Sequence, residues 1–151
     1  MIKRLLCATV ALGSSLGFLL AADVFTGNWK LDVANSTFAS DNPAPKELTL
    51  VFTEQAANRI QVLKGIAADG SATSTAWAAP MTGGTVTITE GRGPNGGATL
   101  KAVDATTLVM TQNTTPGASR TYQVSADGKT LTLTQKTEDG RERARMVFDR
   151  Q

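Results

Sequence analysis

The chain contains no histidine and a single cysteine, Cys7. Without histidine there is no histidine-based catalytic triad, no imidazole metal ligand and no histidine-ligated haem. Aromatic residues are scarce: one Tyr, two Trp and five Phe, or 5% of 151 residues. Neither sign of charge dominates, with 15 Lys and Arg against 13 Asp and Glu. What abounds is threonine, present 22 times. Its β-branched side chain suits the wetted face of a pleated sheet. With 41% apolar and 19% charged residues, the chain is neither disordered by composition nor built of charged helices. Its length fits one domain.

The one long apolar run lies at the start. Lys3 and Arg4 precede an uncharged stretch, residues 5–20, and Ala21-Ala22 supply small residues before Asp23. This is the layout of a secretory signal. The stretch is shorter than the roughly 20 apolar residues that span a bilayer, and Gly13, Ser14, Ser15 and Gly17 dilute it. Cys7 sits at its basic end, the wrong end for lipid attachment. The expectation is a cleaved leader over residues 1–22, a secreted or periplasmic destination, and a mature domain over 23–151 with no membrane span and no disulfide. Removing Lys3 and Arg4 levels the acidic and basic counts, and a neutral protein lacks the electrostatic footprint of a nucleic-acid binder.

Beyond Asp23 no 3.6-residue period persists. Period-two alternation recurs over residues 25–31, 48–53, 59–63, 72–79, 85–89, 98–103, 106–111, 120–124, 130–134 and 143–148. Asp69-Gly70, Gly83-Gly84, Asn95-Gly96, Asp127-Gly128 and Asp139-Gly140 lie between them, and such pairs favour the positive φ of tight hairpin turns. Short strands joined by short turns predict an all-β, antiparallel up-and-down barrel of about 8–10 strands, which leaves no exposed edge. A two-sheet sandwich is the alternative. The longest connection, 32–46, contains Pro43 and Pro45 and excludes more than a short helical turn.

The apolar parity on these strands names the interior. It comprises Phe25, Trp29 and Leu31; Leu48, Leu50 and Phe52; Ile60 and Val62; Val86 and Ile88; Leu108 and Met110; Leu131 and Leu133; and Ala144, Met146 and Phe148. Arg120 and Gln135 share parity with Tyr122 and Leu133, which points both inward on regular strands. A buried Arg needs a partner or an anionic ligand; at a strand end it reaches water instead.

Gly27-Asn28-Trp29-Lys30-Leu31 resembles the G-x-W of the first barrel strand in the lipocalin and fatty-acid-binding-protein (calycin) superfamily. Residues 127–134 are similar to the penultimate hairpin of fatty-acid-binding proteins, and Val147-Phe148-Asp149-Arg150 to their terminal V-Y-E-K. With Ser36-Thr37-Phe38 and the closing Phe148-Asp149-Arg150-Gln151, the chain resembles small secreted bacterial lipocalin-like proteins more closely still. The resemblance implies a lipocalin-like barrel in which Gly27 and Trp29 are structural, the Trp plugging the closed end against an Arg near the C-terminus, Arg143 or Arg145. Two departures follow from the residues. Segment 32–46 is too short and proline-rich for the helical lid of fatty-acid-binding proteins. Met146 stands where their last strand carries the Arg of an R-x-Y carboxylate clamp, so a ligand is expected to be held mainly by apolar contact.

No other motif carries chemistry. Residues 91–97 are glycine-rich but lack the Lys-Ser/Thr and helix of a phosphate cradle. Glu138, Asp139, Glu142 and Asp149 read as solvated surface. Asn35-Ser36-Thr37 and Asn113-Thr114-Thr115 are glycosylation acceptors by rule. No nucleophile–base pair is visible, so the expectation is a binding protein without catalysis, cofactor or metal. Its ligand, a small apolar or amphipathic molecule, would lie inside the barrel against Phe52, Val62, Ile88, Met110, Arg120, Tyr122, Leu133, Met146 and Phe148, with Gly27, Trp29 and Arg145 as structural support. The alternative is an extracytoplasmic interaction or inhibitor module with a filled core, working through its loops. Cleavage predicts that N-terminal sequencing of exported material starts near Asp23; membrane-retained protein still beginning at Met1 contradicts it.

Overall fold

The computed structural model describes residues 23–94 and 96–151, and among these described residues it has ten β-strands and no helix. The expected leader, Cys7 included, lies outside the described residues. In chain order the strands are β1 (Gly27–Phe38), β2 (Glu47–Gln55), β3 (Asn58–Ile66), β4 (Ala72–Pro80), β5 (Gly84–Glu90), β6 (Ala98–Asp104), β7 (Thr107–Gln112), β8 (Ser119–Val124), β9 (Thr130–Lys136) and β10 (Glu142–Arg150). Each pairs antiparallel with its sequence neighbour, and β1 also pairs with β10, which closes the barrel. The fold is therefore the expected single up-and-down barrel.

β1 runs further than its periodicity predicts. It continues to Phe38, through residues expected in the first connection, with a break in its β10 pairing between Asp32 and Thr37. Local bonds replace the ladder there. Asn35 N–H donates to Asp32 Oδ1 at 3.2 Å, and Ser36 Oγ donates to the Asp32 carbonyl at 2.6 Å. The Val147 N–H donates across to Ser36 Oγ at 2.9 Å. A bulge of this kind satisfies the backbone while hiding the alternation that a sequence pattern needs.

The turns alternate between the two ends. One end carries the β2–β3, β4–β5, β6–β7 and β8–β9 turns together with the segment before β1; the other carries the β1–β2, β3–β4, β5–β6, β7–β8 and β9–β10 connections. Gly70, Gly128 and Gly140 adopt positive φ after Asp69, Asp127 and Asp139. In each of these turns the Asp carboxylate accepts the backbone N–H two residues on. The β2–β3 turn is different. Ala56 and Ala57, with no glycine, hold φ of 47° and 62°, a left-handed pair that a Cβ disfavours.

Register corrects one inward assignment. Phe52 lies opposite Gln61 and Leu50 opposite Leu63, so β3 turns Arg59, Gln61 and Leu63 inward. Val62 and Ile60, expected inside, face out. Val62 sits between Val51 and Ala76, and Ile60 between Thr53 and Ala78. A one-residue offset moves a whole strand's side chains to the opposite face. The apolar pair here serves as outer cross-strand packing, and Arg59 and Gln61 are buried inside.

One end is sealed. The turn over residues 23–26 folds beneath the strands and inserts Phe25, which is buried. Asp23 Oδ2 accepts from Arg59 Nε at 3.0 Å and Nη2 at 2.8 Å, and the Arg59 guanidinium lies 5.3 Å from the Phe25 ring centre. Trp29, fully buried, donates its indole N–H to the Phe25 carbonyl at 2.9 Å. The arginine over Trp29 is Arg150, 4.0 Å from the ring centre. Arg145 and Arg143, expected in that role, are exposed at the other end of β10. The reason is register: Trp29 lies opposite Arg150, while Arg145 pairs with Thr37 and Thr134 on the outer face. The strained turn predicts that combining Ala56→Asn with Ala57→Gly stabilises the protein by about 1 kcal/mol, read from the midpoint of urea unfolding; an unchanged or lower midpoint contradicts the left-handed pair.

Candidate ligand site at the open end of the barrel

The sealed half is filled by aromatic rings. Phe52 is the hub, with ring-centre distances of 5.8 Å to Phe25, 6.0 Å to Trp77 and 5.7 Å to Tyr122, all edge-on. Trp77 and Tyr122 meet edge-on at 6.2 Å. Edge-to-face contacts add to the apolar area that such rings bury. Leu133 and Phe148 pack into the same buried cluster. Phe52, Tyr122, Leu133 and Phe148, expected to touch a ligand, thus form the floor of the interior.

Above that floor the barrel opens into two recesses. The first, of about 240 Å³, is walled by Thr75, Trp77, Ile88, Met110, Gln112 and Arg120, with Glu90, Arg92, Gly93 and Pro94 at its rim. Ile88 points inward, opposite Trp77, yet remains 36% exposed because the recess in front of it is open. Gly93 lets the rim loop close on this wall, since a Cβ there would collide with Ile88 Cγ1. The second recess, of about 360 Å³, is lined by Phe38, Leu48, Leu63, Thr73, Gln135 and Met146 beneath Pro43, Pro45 and Ala67. Of the residues named from sequence, Ile88, Met110 and Arg120 therefore share the first recess and Met146 lies in the second. Val62 is on the outer face and reaches neither.

Sequence reasoning passed over Trp77, Thr75, Gln112 and Leu63. The signal for β4 was present: Thr73, Thr75, Trp77 and Ala79 share one parity, but threonine and alanine carry little apolar contrast. Leu63 was lost with the offset of β3.

The packed floor of the interior also carries a buried polar contact. The Tyr122 hydroxyl donates to Gln61 Oε1 at 3.3 Å, both groups buried. Burial pushes the Tyr122 phenol above its ordinary value, and the Arg120 charge together with the Trp77 and Arg120 donors beside it partly offsets this. Trp77 is 2% exposed, and its Nε1 lies beside the Tyr122 hydroxyl without closing a well-formed hydrogen bond. Arg120 is half-buried. Ion pairs among the described residues are Arg59–Asp23 and Arg141–Asp41, so neither Arg120 nor Arg92 is matched by a carboxylate. Glu90, on the same rim, accepts from Ser74 Oγ at 2.5 Å. Among the described residues no three His, Cys, Asp or Glu side chains are grouped to hold a metal ion. No protein-family model matches the chain, and a search of curated proteins finds no match.

Tyr122 is the single tyrosine, which makes its titration readable. Its raised value leaves stability intact below the ordinary phenol value of about 10. Above it the unfolded chain ionises while the folded chain resists, so stability is lost as pH rises. Urea unfolding is expected to weaken more steeply beyond pH 10 in the wild type than in Tyr122→Phe, with phenolate absorbance appearing only above the normal range. Parallel curves for the two proteins contradict a buried phenol.

Proposed function

We propose that this protein is a secreted or periplasmic, non-enzymatic binding protein of the calycin type, which holds a small amphipathic molecule in the open half of its barrel. The observation that carries this reading is the recess bounded by Ile88, Met110 and Trp77 above a packed aromatic floor. Apolar walls with a few convergent polar groups are the usual make-up of a small-molecule site. A core filled to the mouth would have favoured the alternative, an interaction module working through its loops.

The faces of the sheet support a soluble carrier. Apolar side chains line the interior, and the outward positions include Lys30, Thr49, Lys64, Thr121 and Thr132, each on a paired strand. A barrel that meets lipid needs the opposite alternation. The absence of a nucleophile–base pair in the recess supports binding over catalysis.

The test is binding of Nile red, a neutral fluorescent apolar probe, to the mature protein. Thr75→Phe places a ring in the recess and is expected to weaken probe binding by about tenfold, or roughly 1.4 kcal/mol, with the unfolding midpoint little changed. Unaltered binding in that variant moves the ligand elsewhere. No binding to the wild type favours the loop-based module.

A further inference from the structure

We propose that the flank of the first recess is a docking edge for an extended peptide, which adds as a short strand beside β5 and sets one aromatic side chain into the recess. The inference goes beyond the small-molecule reading. It assigns the edge of β5 and shares with that reading only the open recess.

The barrel wall is incomplete at one place. β5 pairs with β6 over Gly84–Val86, opposite Leu100–Ala98, and the pairing stops there. β5 itself runs on to Glu90 and stays paired with β4 through Thr87, Ile88 and Glu90. From Thr87 to Glu90 the strand therefore has a partner on one side only, and all of this stretch is exposed. The loop that follows does not take up the vacant side among the described residues. Gly93 packs on the Ile88 side chain. Gly97 N–H donates to the Pro94 carbonyl at 3.1 Å, and Asn113 N–H to the Gly97 carbonyl at 3.1 Å, so the loop's backbone bonds run within itself and toward the end of β7. A free edge offers N–H and C=O groups to another chain, and folded proteins commonly blunt such edges with Lys or Pro. Thr87-Ile88-Thr89-Glu90 contains neither, and its β-branched residues favour a strand.

The recess supplies the other half of the site. Its wall passes from Trp77 on β4 to Ile88 on β5, then to Met110 on β7 and Arg120 on β8. The connection to β6 adds Gly93 and Pro94 at the rim, but β6 itself contributes no side chain. The recess thus opens to the flank along the stretch where β5 is unpaired. A strand added there takes the place that β6 leaves, and its alternate residues point into the recess. Main-chain bonds then give affinity and the pocket gives selectivity. A cavity of roughly 150 Å³ accepts benzene, so a recess of about 240 Å³ has room for one aromatic side chain. Met110 beside it suits a ring, because thioether sulfur packs well against aromatic edges. The neighbouring residues of the peptide face outward beside the exposed Thr87, Thr89 and Thr99, where small uncharged or β-branched side chains fit.

Fluorescence anisotropy of a labelled heptapeptide, serine and threonine around one central phenylalanine, tests the proposal on the exported protein. Saturable binding is expected. Serine in place of the phenylalanine is expected to weaken it about tenfold. N-methylation of the two amides flanking the phenylalanine keeps every side chain, removes main-chain donors and is also expected to weaken it about tenfold. Disulfide capture reads the location, since the expected mature chain has no cysteine. A peptide with cysteine next to the phenylalanine is expected to couple to Thr89→Cys about tenfold faster than to Thr49→Cys, on the outer face of β2. Absence of peptide binding while Nile red still binds overturns the docking edge and leaves the small-molecule reading standing. Undiminished binding of the N-methylated peptide shows capture of the ring without strand pairing and overturns the proposal, as do equal coupling rates. The N-methyl comparison needs no variant, so it decides even if Thr89→Cys fails to fold. A wild-type dimer that excludes the peptide assigns the edge to a second copy and overturns the proposal as well. Binding of neither Nile red nor peptide overturns both readings of the recess.

Discussion

The barrel depends on the contact of Arg150 with Trp29. The guanidinium lies over the indole and donates to three carbonyls, those of Gly128 at 2.6 Å, Thr26 at 2.8 Å and Val24 at 2.6 Å. One side chain thus joins the last strand, the β8–β9 turn and the segment before β1. Cation–π attraction and charge-assisted bonds act on the same group. Gly27 makes the approach feasible. Its φ of +142° suits glycine, and a Cβ there would come within 2.7 Å of Arg150 Nη1. With residues 24–26 pinned, Phe25 is held under the strands, and Phe25 supports the Phe52 cluster on which the recess rests.

Much of this was legible in the sequence. Alternation located all ten strands, and Asx-Gly pairs marked several of their turns, because both signals are local. The strand that misled, β3, shows where locality ends. Its apolar residues Ile60 and Val62 point out, and its polar residues Arg59 and Gln61 point in. What makes this tolerable lies far along the chain: Asp23 for Arg59, and Tyr122 for Gln61. Those partnerships exist only after the barrel has closed. Arg150 was closer to view, since it lies two residues beyond Phe148 and shares its inward parity. The recess could not be read as such. Filled and hollow barrels share the same alternation, and the difference lies in how far the rings of Phe52, Trp77 and Tyr122 reach up the interior.

The polar interior also explains the division of the barrel into two halves. Arg59 is buried beside Asp23 and Phe25 at the sealed end, where paired charge and ring packing offset its desolvation. Arg120 has no such arrangement at the other end. Two arginines inside one small barrel therefore meet opposite conditions: one is matched by a carboxylate of its own chain, and the other lies on the wall of the open half.

Nine of the ten strand pairings join neighbours in sequence, and β1 with β10 is the exception. This has a kinetic consequence. Hairpins between neighbours close short loops, whereas the last pairing must bring together the two ends of the domain. β10 is the last strand in chain order, so the sheet stays an open ribbon with two unpaired edges until β10 meets β1. Edges of that kind are where one chain finds another. The outward threonines and lysines then face solvent on a ribbon whose apolar face is still uncovered, and Arg150, by tying β10 to the segment before β1, is the group that ends this interval.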